Sequence, residues 1–231
     1  MSLRDTIRNS QQKRKHFSWN GVEIYIKDNI ISKDFTIKQV LEEISRAIPR
    51  EFLYNLDFIY VGDFDFLNKR QVQAVYENSS IFVTNNQDSI EDMADDIIHE
   101  IAHSVEETEK HSIYADGLME REFISKRKKM YEVLQAEGYE VELMSFLETG
   151  YSQSFDQFLH TEVGYPVLEV LTSNLFYSPY ASTSLREYFA NGFEAYYYYR
   201  DGHVLSKISP VLCDKIVNLI KEEEHEIRKN N

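Results

Sequence analysis

Apolar positions recur along this chain with two periods, and the switches between them mark out its elements. From Gly21 to Lys27 apolar and charged residues alternate, as in a half-buried strand. Ile37 to Ile48 takes up helical spacing and stops before Pro49, because a proline disfavours helical backbone in the residue ahead of it. Leu56 to Gly62 reads as a more deeply buried strand. Val72, Ala74 and Tyr76 then alternate, Asn78-Ser79 turns the chain, and Ile81 to Thr84 returns, which predicts a hairpin. After it, Ile90, Met93, Ala94, Ile97, Ile98, Ile101, Ala102 and Val105 hold the i, i+3, i+4, i+7 rule without a break. Ser89 followed by Asp92 marks the start of that helix with a pair resembling a capping box. Three or four strands and one helix therefore precede it.

The remainder reads as mostly helical. Glu120 to Glu137 is a charged helix ending near Gly138, and its Lys126-Arg-Lys-Lys129 run is expected to be a solvated face. Phe155 to His160 and Val167 to Phe176 are shorter candidates. Leu185, Phe189, Phe193, Tyr196 and Tyr197 mark a strong helix, and Val211 to Arg228 a last one. This order predicts an α+β fold, with a small N-terminal sheet packed on the helix over 90–105 and a helical C-terminal half. There are no repeats, and with eight glycines and four prolines no long linker is evident. The expected organisation is a basic, flexible arm over 1–18 (Arg4, Arg8, Lys13, Arg14 and Lys15) and one domain over 19–231.

Composition narrows the partners. At 231 residues and 42% hydrophobic the chain can bury a core, and a formal charge of −14 argues against nucleic acid, whose phosphates call for a basic surface. The single Cys213 excludes an intrachain disulfide and a cysteine-based zinc cluster. The N-terminus lacks an apolar signal region and no stretch approaches about 18 apolar residues, so neither secretion nor a membrane span is supported. The expected compartment is the cytoplasm; delivery in a virus particle or export by a non-classical route would leave the same sequence.

The chemistry concentrates in His99-Glu100-Ile101-Ala102-His103. Residues four apart share a helix face, so two imidazoles converge on one metal ion while Glu100 stands one position round. Two histidines and a third ligand leave one zinc position open for water, the arrangement of a hydrolytic site. His99, His103 and Glu106 form a stripe beside the apolar one. For the third ligand, His111, His160, His203, His225 and many carboxylates lie downstream, and spacing alone does not choose among them. Glu187, near the start of an aromatic-backed helix, suits a two-His-one-Glu set. Two other readings stay open: Ser184 and Glu187 form a capping box, and Glu194 shares the same helix face.

Here the chain resembles the gluzincin peptidases of the anthrax lethal factor catalytic domain and the clostridial Pro-Pro endopeptidases. In those, HExxH is followed by two acidic residues, matched by Glu106 and Glu107, and a Glu ligand opens a Glu-aromatic-Phe-Ala-x-x-Phe motif, matched by Glu187 to Phe193. They also carry a catalytic tyrosine seven residues before that ligand, where Tyr180 stands here. The resemblance covers roughly Leu56 to Tyr199. It implies a zincin-like fold, one Zn2+ per chain held by His99, His103 and Glu187, Glu100 as general base, Tyr180 as oxyanion donor, and a peptide or protein substrate. There are departures. His103 and Glu187 are 84 positions apart, longer than in compact members, which implies a helical insertion around 108–161. Asn191 stands where the family motif commonly has an acidic residue. The alternatives are a zinc-holding interaction or structural protein without turnover, as in a phage or mobile-element component, and an intracellular toxin protease. Iron or manganese also suits two histidines and a carboxylate, although this helix motif favours zinc.

Overall fold

Alternation along Val22–Ile26 (β2) buries Val22, Ile24 and Ile26 on one sheet face, and the same face is continued by Ile59 and Val61 of Phe58–Gly62 (β3) and by Ile81 and Val83 of Ser80–Thr84 (β5). The computed structural model describes residues 15–229. Its five-stranded mixed sheet has the order β1-β2-β3-β5-β4, with Lys15–Trp19 as β1 and Ala74–Glu77 as β4. β2, β3 and β5 run parallel, and each end is closed by an antiparallel hairpin partner. Helix α1 (Ile37–Ala47) crosses from β2 to β3, with a 3-10 turn at Arg50–Leu53, and the short α2 (Asp65–Arg70) follows β3. The long α3 (Ile90–Thr108) follows β5, and Ser89 Oγ accepts the Asp92 N–H at 3.0 Å at its start.

The α+β class agrees with the sequence pattern, and two details correct it. Strand β1 begins inside the stretch expected to be an arm; residues 1–14 lie outside the described ones. The hairpin turn Asn20-Gly21 has φ of 52° and 96°, and Asn78-Ser79 has 51° and 56°, so both two-residue turns take positive φ throughout, as the right-handed twist of the flanking strands demands. Helix α2 also went unexpected. On the other sheet face one cross-strand row runs through His16, Tyr25, Tyr60 and Phe82. Their rings stack in succession at 4.3, 5.4 and 4.9 Å, each covering part of its neighbour's face.

The chain falls into two compact units, 1–105 and 106–231, the boundary lying in the last turn of α3. The second unit contains α4 (Lys110–Tyr114), α5 (Leu118–Ala136), α6 (Leu143–Leu147) and α7 (Gln153–Gln157). A π-helical turn (Phe158–Val163) leads into α8 (Tyr165–Leu171), and a 3-10 turn (Tyr180–Ser182) precedes α9 (Leu185–Tyr197). α10 (Gly202–Ile208) and α11 (Pro210–Lys229) complete it. Gly192 lets α9 and α11 approach: a Cβ there would lie 2.5 Å from Leu212 Cδ2.

The basic run on α5 is not a solvated face. Lys128 and Lys129 are exposed, but Lys126 and Arg127 are buried. The Arg127 guanidinium donates to the carbonyls of Ser145, Glu148 and Thr183 and lies 4.1 Å from the Phe155 ring centre. Lys126 donates to the carbonyls of Leu175 and Ile208 beside the rings of Phe176 and Tyr188. Carbonyls of neighbouring loops and short-helix ends explain the reversal: a cation satisfies several of them at once, which no apolar side chain does.

Burial lowers the Lys126 ammonium from the ordinary 10.5 to about 8, with Glu122 opposing the shift. Between those two values the unfolded chain binds the extra proton, so this residue makes stability rise with pH across that window. The neutral amine keeps two N–H groups for the two carbonyls. Denaturant unfolding of wild type and Lys126→Met at pH 8 and pH 10 is expected to show the stability difference moving in favour of wild type by about 2 kcal/mol at the higher pH. Parallel behaviour of the two proteins would contradict the assignment.

Candidate metal centre

The unbroken apolar stripe of α3 buries Ile97, Ile98, Ile101 and Ala102, which turns His99 and His103 onto one flank of the helix. Their rings lie 4.7 Å apart, edge to face. His103 is buried and His99 half-buried. Glu100, between them in sequence, is also buried, and its Oε2 accepts the main-chain N–H of Tyr76 on β4 at 2.6 Å. A carboxylate removed from water requires such a donor.

Glu187 is set by the start of α9. Ser184 is the N-cap, and its Oγ accepts the Glu187 N–H at 3.1 Å. The cap therefore uses the main chain of Glu187 and not its carboxylate. The turn ahead is held by Arg127 on the Thr183 carbonyl and by the Leu185 N–H on the Thr149 carbonyl at 2.9 Å. Glu187 is buried in the first turn, where the helix dipole favours negative charge.

One ligand atom from each of His99, His103 and Glu187 lies within 4.8 Å of the other two, and among the described residues this is the one such group of three. Zinc at its usual bond lengths in a tetrahedron holds ligand atoms about 3.3 Å apart, so the donor set and its spacing fit the ion with small side-chain adjustments. Compared with protein-family models, curated proteins and solved structures, the chain has no match. The resemblance to gluzincins thus rests on its motifs alone.

The other candidates fall into separate places. Tyr180 opens the 3-10 turn ahead of α9, its carbonyl accepting from the Thr183 hydroxyl at 2.8 Å and its ring 6.5 Å from that of Tyr165. Tyr165 is tied to Asp156 at 2.6 Å, and burial together with that carboxylate pushes its hydroxyl pKa well above the usual range. Glu194 is buried too, but it accepts from Asn191 Nδ2 at 3.1 Å and stands outside the metal-type group. His111, His160 and His203 are exposed and also outside it, and the side chain of His225 lies outside the described ones.

Glu106 is occupied otherwise than as a ligand. It accepts the Tyr114 hydroxyl at 2.6 Å and pairs with Arg186 Nε at 3.3 Å. Burial, and then the Glu106 charge, raise the Tyr114 pKa far above its ordinary value. Arg186, Tyr114 and the Tyr76 amide were not among the residues singled out from sequence. Arg186 adjoins Glu187 in the chain, a signal of sorts; the other two carry none.

Glu187 and Glu194 are separable by metal content. Equilibrium dialysis should give one zinc per chain for wild type and for Glu194→Gln. Glu187→Ala should weaken binding by more than the roughly 10–100-fold typical of losing an outer partner of a ligand. Equal loss in both variants would return Glu194 to consideration.

Proposed function

We propose that the chain is a zinc-dependent endopeptidase of the gluzincin kind, in a zincin-like fold. The observation that carries this reading is the convergence of His99, His103 and Glu187 ligand atoms within 4.8 Å, with Glu100 adjoining His99 on the same helix. One Glu100 oxygen ties this helix to β4, and the other, which accepts no hydrogen bond among the described residues, supports the reading of the residue as a base. Zinc at this site supplies a Lewis acid that lowers the pKa of a water toward about 7 and polarises a carbonyl.

Glu100 is then the general base. It takes the proton of the attacking water as the oxygen bonds to the scissile carbonyl carbon. It delivers that proton to the departing amine as the carbon–nitrogen bond breaks. The Tyr180 hydroxyl donates to the developing oxyanion, a contribution made chiefly in the transition state. Substrate docking belongs to β4. Strand β5 is paired on both sides and has no free edge, whereas β4 pairs only with β5, so an extended peptide adds there as a further strand.

No helix among the described residues is long and apolar enough to cross a membrane, and the lone Cys213 is buried. For the chemistry proposed, a peptide library is the natural first substrate. Zinc-loaded wild type should cleave members of it, and Glu100→Gln should retain one zinc while losing about 10²–10⁴ in kcat. Undiminished turnover in that variant would overturn the mechanism. Absence of any cleavage by the zinc-loaded wild type would leave a zinc-holding binding protein in its place.

A further inference from the structure

An edge strand leaves every second main-chain N–H without a ladder partner, and the register of β4 identifies which. The Thr84 N–H donates to the Gln73 carbonyl at 2.8 Å, so residues 73 and 84 form a hydrogen-bonded antiparallel pair. Counting on in register, Val75↔Phe82 is the next such pair, while Ala74↔Val83 and Tyr76↔Ile81 are the intervening, non-bonded ones. The main-chain groups of Val75 thus face β5, and those of Tyr76 face the open side.

That outward N–H is the one Glu100 uses. The 2.6 Å separation is short even for a bond to an ionised acceptor, and the Tyr76 residue is itself largely buried, 9% exposed. Only Oε2 is engaged; among the described residues Oε1 accepts no hydrogen bond. The two oxygens are thereby made inequivalent, one anchored to the backbone of the sheet and the other left to take a proton. A donor fixed in the main chain holds this orientation more stiffly than a side chain does, since it has no rotamers to lose.

We infer that the main-chain N–H of Tyr76 is the positioning group of Glu100, fixing Oε2 at the sheet edge so that Oε1 serves the reacting water. The catalytic half of this statement rests on the metallopeptidase reading, whereas the bond itself does not. A corollary concerns the substrate. With the Tyr76 N–H committed to Glu100, a peptide added to β4 pairs without that donor.

Two measurements test the inference. The first is amide hydrogen exchange, with no substrate. The Tyr76 amide should be protected in wild type and should exchange about tenfold faster or more in Glu100→Ala, while the Val75 amide stays protected as a check that the strand survives. The second replaces single amides by esters, incorporating the α-hydroxy analogue of tyrosine at 76 or of valine at 75. Each ester removes one N–H and keeps the side chain. The ester at 76 should lower kcat by about 10- to 100-fold with KM and zinc affinity nearly unchanged, a clearly larger loss than that of the ester at 75, which removes a β4–β5 ladder bond instead. Unchanged Tyr76 exchange in Glu100→Ala overturns the bond. Equal loss of kcat in both esters overturns the positioning role, since general weakening of the strand then accounts for it. If wild type binds zinc but cleaves nothing, the peptidase reading and the catalytic half of the inference fall together, and exchange still decides the bond.

Discussion

Within the second unit, loops and helix ends carry main-chain groups that no helix or strand satisfies, and α5 supplies their partners. Glu122, Lys126 and Arg127 lie within about one and a half turns of each other on that helix. Glu122 accepts the Val211 and Leu212 N–H groups at 2.9 and 3.1 Å, opening α11 where Pro210, lacking an N–H, needs no acceptor of its own, and it also takes the Tyr188 hydroxyl at 2.8 Å. Lys126 and Arg127 take five carbonyls, those of Ser145, Glu148, Leu175, Thr183 and Ile208, from loops and short-helix ends. An ionised group buried alone would be strongly unfavourable. Here each is wrapped in hydrogen bonds and aromatic faces, and removing one partner would strand the rest. The orientation of Glu187 descends from this arrangement, because Arg127 fixes the Thr183 carbonyl immediately before the Ser184 cap.

The first unit solves a related problem with the roles exchanged. There the main chain serves the side chain: the edge of β4 supplies the donor for one oxygen of the Glu100 carboxylate. Both solutions follow from the same rule that a buried polar group takes whatever partner is in reach. In one unit side chains complete loops, and in the other a strand completes a side chain. The candidate metal ligands depend on each solution, His99 and His103 through the helix that Glu100 ties to the sheet, Glu187 through the anchored cap.

What was legible from sequence is what periodicity and local chemistry express. The strands at Val22–Ile26 and Ser80–Thr84, the helix carrying both histidines and the helix carrying Glu187 all follow from spacing, because burial of one face imposes it. The His99 and His103 pair was readable from its helix spacing, whereas Glu187 was only suggested by its place at the start of an aromatic-backed helix and by the family resemblance, with Glu194 and a cap-only role left open. Strand β1 was hidden by its basic neighbours, although Asn20-Gly21 was the turn signal that marks it. The burial of Lys126 and Arg127 leaves no mark in the sequence, because their partners are carbonyls 18 to 82 positions away and carbonyls are present at every residue. Tyr76 shows in the sequence only as an alternating apolar residue, while its contribution to the site comes from an amide that any non-proline residue would carry.

The indole of Trp19 has a use that its packing role does not suggest. It is the only tryptophan among 231 residues, and it donates from Nε1 to Ser45 Oγ at 3.1 Å, joining β1 to α1. Tryptophan emission therefore reports on the sheet-bearing unit alone, while the predominantly helical second unit contributes to the far-ultraviolet dichroism without contributing an indole. Two optical signals, followed side by side in a single melt, distinguish whether the two units lose structure together or in turn.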